Sequence, residues 1–405
     1  MPGLTILRPV MLSPARIGES APCDFFDGNG SLLLRQGVLI SESVQEKLSS
    51  RRLFCDAGQA GAISSDDPLR ALTGVGETLS MLDAIVRAGG KPSAGICMEL
   101  AGSLFESWRF DPDACIGFAR VGNLGSPSVC QTILAALFAA ELGNAHAFTR
   151  YELIELIGAA LTMNLGSMEL HDEMAALSGP LPGKLRSALT EHPRCAAGIL
   201  HGIGIQGAWS QAVLQHHENI NGSGYPGGLA RSGICLEARM LRLVDIFAAR
   251  LRVRRGRGPQ YWSLSRARGL SELTAHIFGA DLDSLDLSLA RLLMRRLGAF
   301  SPGSVVRLSN NEMAIVSRRA YGLVRDTNLS PRAVLSFLDA GGRPLEMPRV
   351  RRIGPHDYRI LSYAHDDLPR LPVYDWPLIW GYRAPPSRPA HDGARAAGIP
   401  GKFSS

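Results

Sequence analysis

From Asp67 to about Ala299 the apolar residues recur mostly at helical spacing, and Leu69, Leu72, Leu79, Leu82 and Val86 share one face. Residues 130–142 are almost wholly apolar, which predicts a core helix buried on most sides. On either side of this body the pattern shortens. Residues 1–56 carry short apolar runs at 4–7 and 32–34, separated by the turn material Asp27-Gly28-Asn29-Gly30. A short helix over 41–48, capped by Ser41 or Ser43, precedes a Gly/Ala/Ser/Asp linker at 57–68. After Leu297 the strand-like runs 304–308 and 313–317 flank Asn310-Asn311, a hairpin turn. Another strand at 333–338 leads into Asp339-Ala340-Gly341-Gly342.

The pattern therefore predicts a mainly α fold: a helical domain flanked by small β-rich N-terminal and C-terminal modules. The divisions read as a β-rich module at 1–60, a helical connecting region at 61–125, the helical domain at 126–295, a β module at 296–370 and a Pro-rich, poorly ordered tail at 371–405. Tyr374, Trp376, Trp380 and Tyr382 form an aromatic cluster near that tail, expected to pack on the body.

Composition adds exclusions. Of 405 residues, 45% are hydrophobic and 20% charged, which is ordinary for a globular chain. A net charge of +6 over this length permits an anionic partner without demanding nucleic acid, and no DNA partner is expected. Seven cysteines at wide spacing, with no Cys-x-x-Cys, argue against a disulfide framework or a zinc knuckle. Reduced buried thiols in a cytoplasmic protein fit better. No run of about 18 apolar residues occurs, so no membrane insertion is expected.

The chemistry concentrates in residues 215–250. His216-His217-Glu218 opens the stretch, and successive helical residues point about 100° apart, so adjacent histidines can serve neighbouring centres. Gly222, Gly224, Gly227 and Gly228, with Tyr225 and Pro226 among them, form a shaped loop: glycine permits close backbone approach and proline fixes φ. Asp245 then sits among Leu, Val, Ile and Phe, where a lone acid is costly unless it is paired or holds a cation.

In this order and spacing the stretch resembles the HD-GYP family of bacterial cyclic di-GMP hydrolases, whose pattern is HHExxDGxGYPxGL followed by aRIxxvaD. His216, His217, Glu218, Gly222, Gly224, Tyr225, Pro226, Gly228, Leu229, Ile234, Arg239 and Asp245 match. Upstream, Glu191-His192-Pro193 and Gly198-Ile199-Leu200 resemble the family's xHPxxGaxiL. The resemblance implies a helical HD-superfamily domain that binds two or three iron- or manganese-type metals, whose activated water attacks a phosphodiester.

The chain departs from that pattern where the family's His-Asp pair should stand. Aligning Gly166 with the family glycine puts Met163 at the histidine, Asn164 at the aspartate and Ser167 at the lysine. A thioether is a poor ligand for hard ions, and an amide lacks the charge that bridges two metals. Pro127 and Asn123 stand at further family positions, and Asn221 replaces the acid after His-His-Glu. His171-Asp172 lies eight residues late and is not read as the pair.

The retained metal candidates are His192, His216, His217 and Asp245, enough for one divalent metal of Fe or Mn type but not for a full di- or tri-metal centre. Glu218, Asn221, Gly222, Gly224, Tyr225 and Pro226 are candidates for nucleotide or partner contact. Arg239, Arg242, Arg250 and Arg252 are weaker phosphate candidates, because guanidinium pairs bidentately with phosphate; a solvated loop is the other reading of the run at 250–257. The expected function is a catalytically degenerate protein of cyclic di-GMP signalling that binds the nucleotide or a diguanylate cyclase-type partner. The alternatives are an active phosphodiesterase with an atypical site and an interaction scaffold without ligand.

Overall fold

The computed structural model describes residues 6–12, 16–49, 51–60, 66–176, 182–251, 274–275, 277–319, 331, 333–364 and 374–382. At the N-terminal end β1 (Leu7–Val10), β2 (Phe25–Phe26), β3 (Leu32–Leu34) and β4 (Leu53–Asp56) form an antiparallel sheet in the order β1-β4-β2-β3. It has its own small core, including Val10, Phe25, Ile40, Leu53 and Cys55. α1 (Glu42–Ser49) follows β3, and the Ser41 hydroxyl accepts from the Val44 amide at 3.3 Å. Residues expected as linker include a short helix, α2 (Ala57–Ala60).

The helical body comprises α3 (Pro68–Arg87), α4 (Ala94–Phe110), α5 (Pro112–Val121), α6 (Pro127–Ala145), α7 (Arg150–Thr162), α8 (Met168–Ala176), α9 (Gly183–Gly202), α10 (Ala208–Gln215), α11 (Leu236–Arg250) and α12 (Leu287–Leu297). Local chemistry sets several starts. Asp67 caps α3 through the Leu69 and Arg70 amides with Pro68 behind it, Asp111-Pro112 and Ser126-Pro127 repeat the device, and Thr149 with Glu152 makes a capping box on α7. α6 is the hub: α4, α5, α7, α11 and α12 pack against it. By length and composition it is apolar enough to cross a bilayer, but it lies mostly buried inside this body. Within the region read as a helical connection, Leu72, Leu79, Leu104 and Ile116 enter the same core as α6.

β5 (Val305–Leu308), β6 (Met313–Ile315), β7 (Ala333–Leu338), β8 (Pro344–Arg352) and β9 (Ile360–Tyr363) form an antiparallel sheet in the order β8-β7-β6-β5-β9. The expectation of a poorly ordered tail is corrected for residues 374–382. Trp380 is fully buried and donates from Nε1 to the Ser317 carbonyl at 3.0 Å, and buried Tyr382 donates to Asp111 at 2.9 Å. The rings of Tyr374 and Trp376 pack on Phe337, so the aromatic cluster outweighs the prolines around it. The remainder of the expected tail, 383–405, lies outside the described residues.

A buried ionic network joins this C-terminal module to the helices. Arg318 pairs with Asp111, and Arg319 pairs with Asp113 at 2.5 Å and with Glu141 at 2.7 Å. Glu141 also accepts from Trp108 Nε1 at 3.0 Å and faces Arg296 at 3.3 Å.

Candidate metal centre

Two backbone features aim two histidines at each other. Pro193, inside α9, has no N–H, so the Leu189 carbonyl four residues earlier lacks its helical donor. The His192 ring takes that carbonyl from Nδ1 at 2.6 Å. His216 lies just past the end of α10, where carbonyls run out of helical partners, and its Nδ1 reaches the Val213 carbonyl at 2.6 Å. Each Nδ1 must carry the proton to donate, so each Nε2 keeps its lone pair. Those two Nε2 atoms face each other at 3.1 Å.

Two lone pairs at that distance repel unless a cation lies between them. Imidazole nitrogens about 2.0–2.1 Å from one ion, at roughly tetrahedral or octahedral angles, stand about 2.9–3.4 Å apart. Burial, then the charge of neighbouring His171, pulls His192 down to about 4, and burial pushes His216 and His217 well below the usual imidazole range. All three are therefore neutral near pH 7, the state a metal requires. Their ligand atoms lie within 4.8 Å of one another, and His217 Nε2 is buried without a hydrogen-bond partner. The residues fit one ion held by imidazole nitrogen.

Asp245 does not join this cluster. Among the described residues only the histidines fall within the 4.8 Å grouping, and the Asp245 carboxylate instead accepts from Gln131 Nε2 on α6 at 3.0 Å. Of the four expected ligands, the structure brings the three histidines together and leaves Asp245 outside the grouping, with one carboxylate oxygen on Gln131.

The Gly-Tyr-Pro loop is clamped from beneath. The buried Glu218 carboxylate accepts from the Gly227 amide at 2.6 Å and the Leu229 amide at 2.9 Å, so it shapes the loop rather than facing a ligand. A Cβ on Gly224 would lie 2.3 Å from the Asn219 nitrogen and 2.6 Å from the His217 carbonyl oxygen, which explains glycine there. Gly222 needs glycine for its φ of +80°. Tyr225 is half-buried and stacks on His217, with ring centroids 4.7 Å apart, and burial raises its hydroxyl pKa. The Pro226 carbonyl accepts from Arg194 at 2.9 Å. Exposed Asn221 folds back onto the Ser223 amide and hydroxyl. Glu218→Ala is expected to cost about 1–3 kcal/mol, since two loop amides lose the buried carboxylate that accepts from them. Urea denaturation checks this, and an unchanged midpoint would remove Glu218 from the loop's support.

Met163, Asn164 and Ser167 lie in the interior. Met163 is fully buried in the core, and Ser167 donates to the Asn164 carbonyl at 2.9 Å. Asn164 Oδ1 is buried without a partner. Asp83 on α3 accepts from the Gly166 amide at 2.8 Å and so fixes this turn. Of the phosphate candidates, Arg239 pairs with Asp286 at 2.9 Å and Arg250 pairs with Asp281, so both tie elements together within the fold. Arg252 lies outside the described residues. Arg242 donates from Nη1 to His217 Nδ1 and from Nε to Asn219, both at 3.1 Å.

Sequence reasoning missed three neighbours. His171 meets His192 edge-on at 5.2 Å, and its partner Asp172 accepts from the Ser128 amide at 2.7 Å, holding α8 against the start of α6. Gln131 and Asp83 are the others; only the His-Asp dipeptide carried a local signal.

Residues 123–276 match a family model described as HD domain. The chain is 34% identical over 125 residues to the cyclic di-GMP phosphodiesterase response regulator RpfG of Xanthomonas campestris, covering 30% of this chain and 32% of that protein. It is 26% identical over 214 residues to the cyclic di-GMP phosphodiesterase PA4108 of Pseudomonas aeruginosa, covering 51% and 48%. A solved structure, Bd1817, a HDG"Y"P protein from Bdellovibrio bacteriovorus, aligns over 71% of this chain and 98% of that one, with a TM-score of 0.44 and 14% identity. The chain thus spans between about a third and a half of the length of these curated relatives. The stretch that carries the clustered histidines and the clamped Gly-Tyr-Pro loop, within residues 123–276, is thus an HD domain and resembles the HD-GYP family.

Proposed function

We propose that the protein acts in cyclic di-GMP signalling by binding rather than by hydrolysis, with one divalent metal at the histidine centre. The observation that carries this reading is the pairing of His192 and His216 Nε2 across 3.1 Å, with no carboxylate in the cluster among the described residues. The kinship with two cyclic di-GMP phosphodiesterases supports the choice of ligand. A divalent ion there supplies a positive charge for a phosphate oxygen. Around it, His192 and His216 hold their tautomers through backbone carbonyls, Glu218 sets the loop, and Tyr225 lays its ring over His217. An imidazole-only donor set suits zinc-, nickel- or iron-type ions better than magnesium. A cytoplasmic setting with reduced thiols belongs to the same reading.

Calorimetric titration of the metal-loaded chain with cyclic di-GMP tests it. Saturable binding is expected, weakened about tenfold by Tyr225→Ala, which equals about 1.4 kcal/mol. No heat of binding, with or without metal, sinks the nucleotide reading and leaves the interaction scaffold. Loss of the stacked pair itself is worth only about 0.5–1.5 kcal/mol of stability, so the mutant should stay folded.

A further inference from the structure

We propose that Arg242 is a resident cation that restricts the centre to two imidazole ligands, turning His217 into a hydrogen-bond donor aimed at the site instead of a third ligand. The inference deepens the metal reading above and rests on it. A guanidinium has donors and no acceptor. With Arg242 Nη1 at 3.1 Å, His217 Nδ1 must therefore be the acceptor, and the proton of the neutral ring sits on Nε2. That is the opposite tautomer from His192 and His216, whose Nδ1 atoms donate to carbonyls. The protonated Nε2 of His217 is buried and has no partner, and the residue belongs to the histidine cluster.

An N–H cannot ligate a metal, but it can donate to an anionic oxygen held beside one, such as a phosphate. Arg242 is itself anchored: its Nε donates to Asn219, one residue beyond Glu218, and α11 supplies its backbone. The positive charge a further metal would bring is thus already provided by the chain. A second ion beside His217 would have to displace the guanidinium against like-charge repulsion.

The test uses the full chain with Zn²⁺ and Co²⁺ as probes. Chelator competition should give one ion per chain. His192→Ala and His216→Ala should each weaken binding by more than about a hundredfold, and His217→Ala by less than about tenfold. Arg242→Met should tighten binding by about tenfold or more, as repulsion is removed and a third imidazole is freed, with a changed cobalt absorption spectrum. Arg242→Lys, which keeps the charge, should lie nearer the parent. Nitrogen-15 NMR of the unsubstituted chain needs no variant: His217 should report the Nε2–H tautomer, and His192 and His216 the Nδ1–H form. The proposal is overturned if His217→Ala loses metal as completely as His192→Ala, if Arg242→Met leaves affinity and spectrum unchanged, or if His217 is protonated at Nδ1. Absence of any metal binding by the parent chain overturns the metal reading as well.

Discussion

Glu141→Gln is expected to destabilise the chain by about 3 kcal/mol at neutral pH, because it strips the charge from a buried acid that three partners hold. Burial alone would push the Glu141 carboxyl up. Arg319 first, then Arg296 and the Trp108 indole, reverse this and hold it at about 2 against the usual 4.5. A gap of that size corresponds to about 3 kcal/mol of linked stability, matching the lower end of about 3–5 kcal/mol for breaking a buried pair. The sign follows from the depressed value: the contribution is complete above about pH 4.5 and disappears as pH falls through about 2, where the folded chain must also take up the proton. Denaturation by urea at pH 7 and at pH 3 checks both statements. The Gln variant should lose stability mainly at pH 7, narrowing its difference from the parent in acid. A loss below about 1 kcal/mol at pH 7 is what an exposed pair gives, and it would mean that the Glu141–Arg319 pair does not hold the C-terminal module to the helices.

That network shows why the sequence yields some features and hides others. The α3 stripe of Leu69, Leu72, Leu79 and Leu82, the Asp67-Pro68 start and the apolar run of α6 all lie within a few turns of chain, so periodicity and capping chemistry display them directly. The His192 tautomer is local too, since His-Pro both removes a donor and supplies its replacement. The Glu141–Arg319 contact spans 178 residues, Gln131–Asp245 spans 114 and Asp83–Gly166 spans 83. Such pairs are set by how helices dock, and a polar residue on an otherwise apolar face does not announce its partner. His171 was set aside because its offset from the family motif is a linear measure. In space α8 brings it back against His192. Tyr225, a candidate for nucleotide or partner contact, is half-buried on His217, because Gly224 lets the loop fall onto the backbone beneath it.

Hydrolysis of cyclic di-GMP by the purified protein with Mn²⁺ or Fe²⁺ is expected to stay at background. A two-metal hydrolase needs a carboxylate to hold its ions together, and the ions lower the pKa of bound water far enough to form hydroxide near neutral pH. Here the position aligned with that acid is Asn164, whose neutral amide oxygen is buried without a partner. Asp245 accepts from Gln131 and lies outside the histidine grouping. Ser167, aligned with the family lysine, has its hydroxyl committed to the Asn164 carbonyl and offers no cation to a phosphate. Removing one such electrostatic group costs about 10²–10³ in turnover, and two are missing. Chromatography of the linear dinucleotide product over hours of incubation measures this. The triple replacement Met163→His, Asn164→Asp and Ser167→Lys should raise both bound metal per chain and product above the parent, provided the turn fixed by Asp83 tolerates the larger side chains, which a melting curve reports. Turnover by the parent near the usual enzymatic scale of about 1 per second or more, abolished by His217→Ala, would show that the histidine cluster and Asp245 suffice for chemistry.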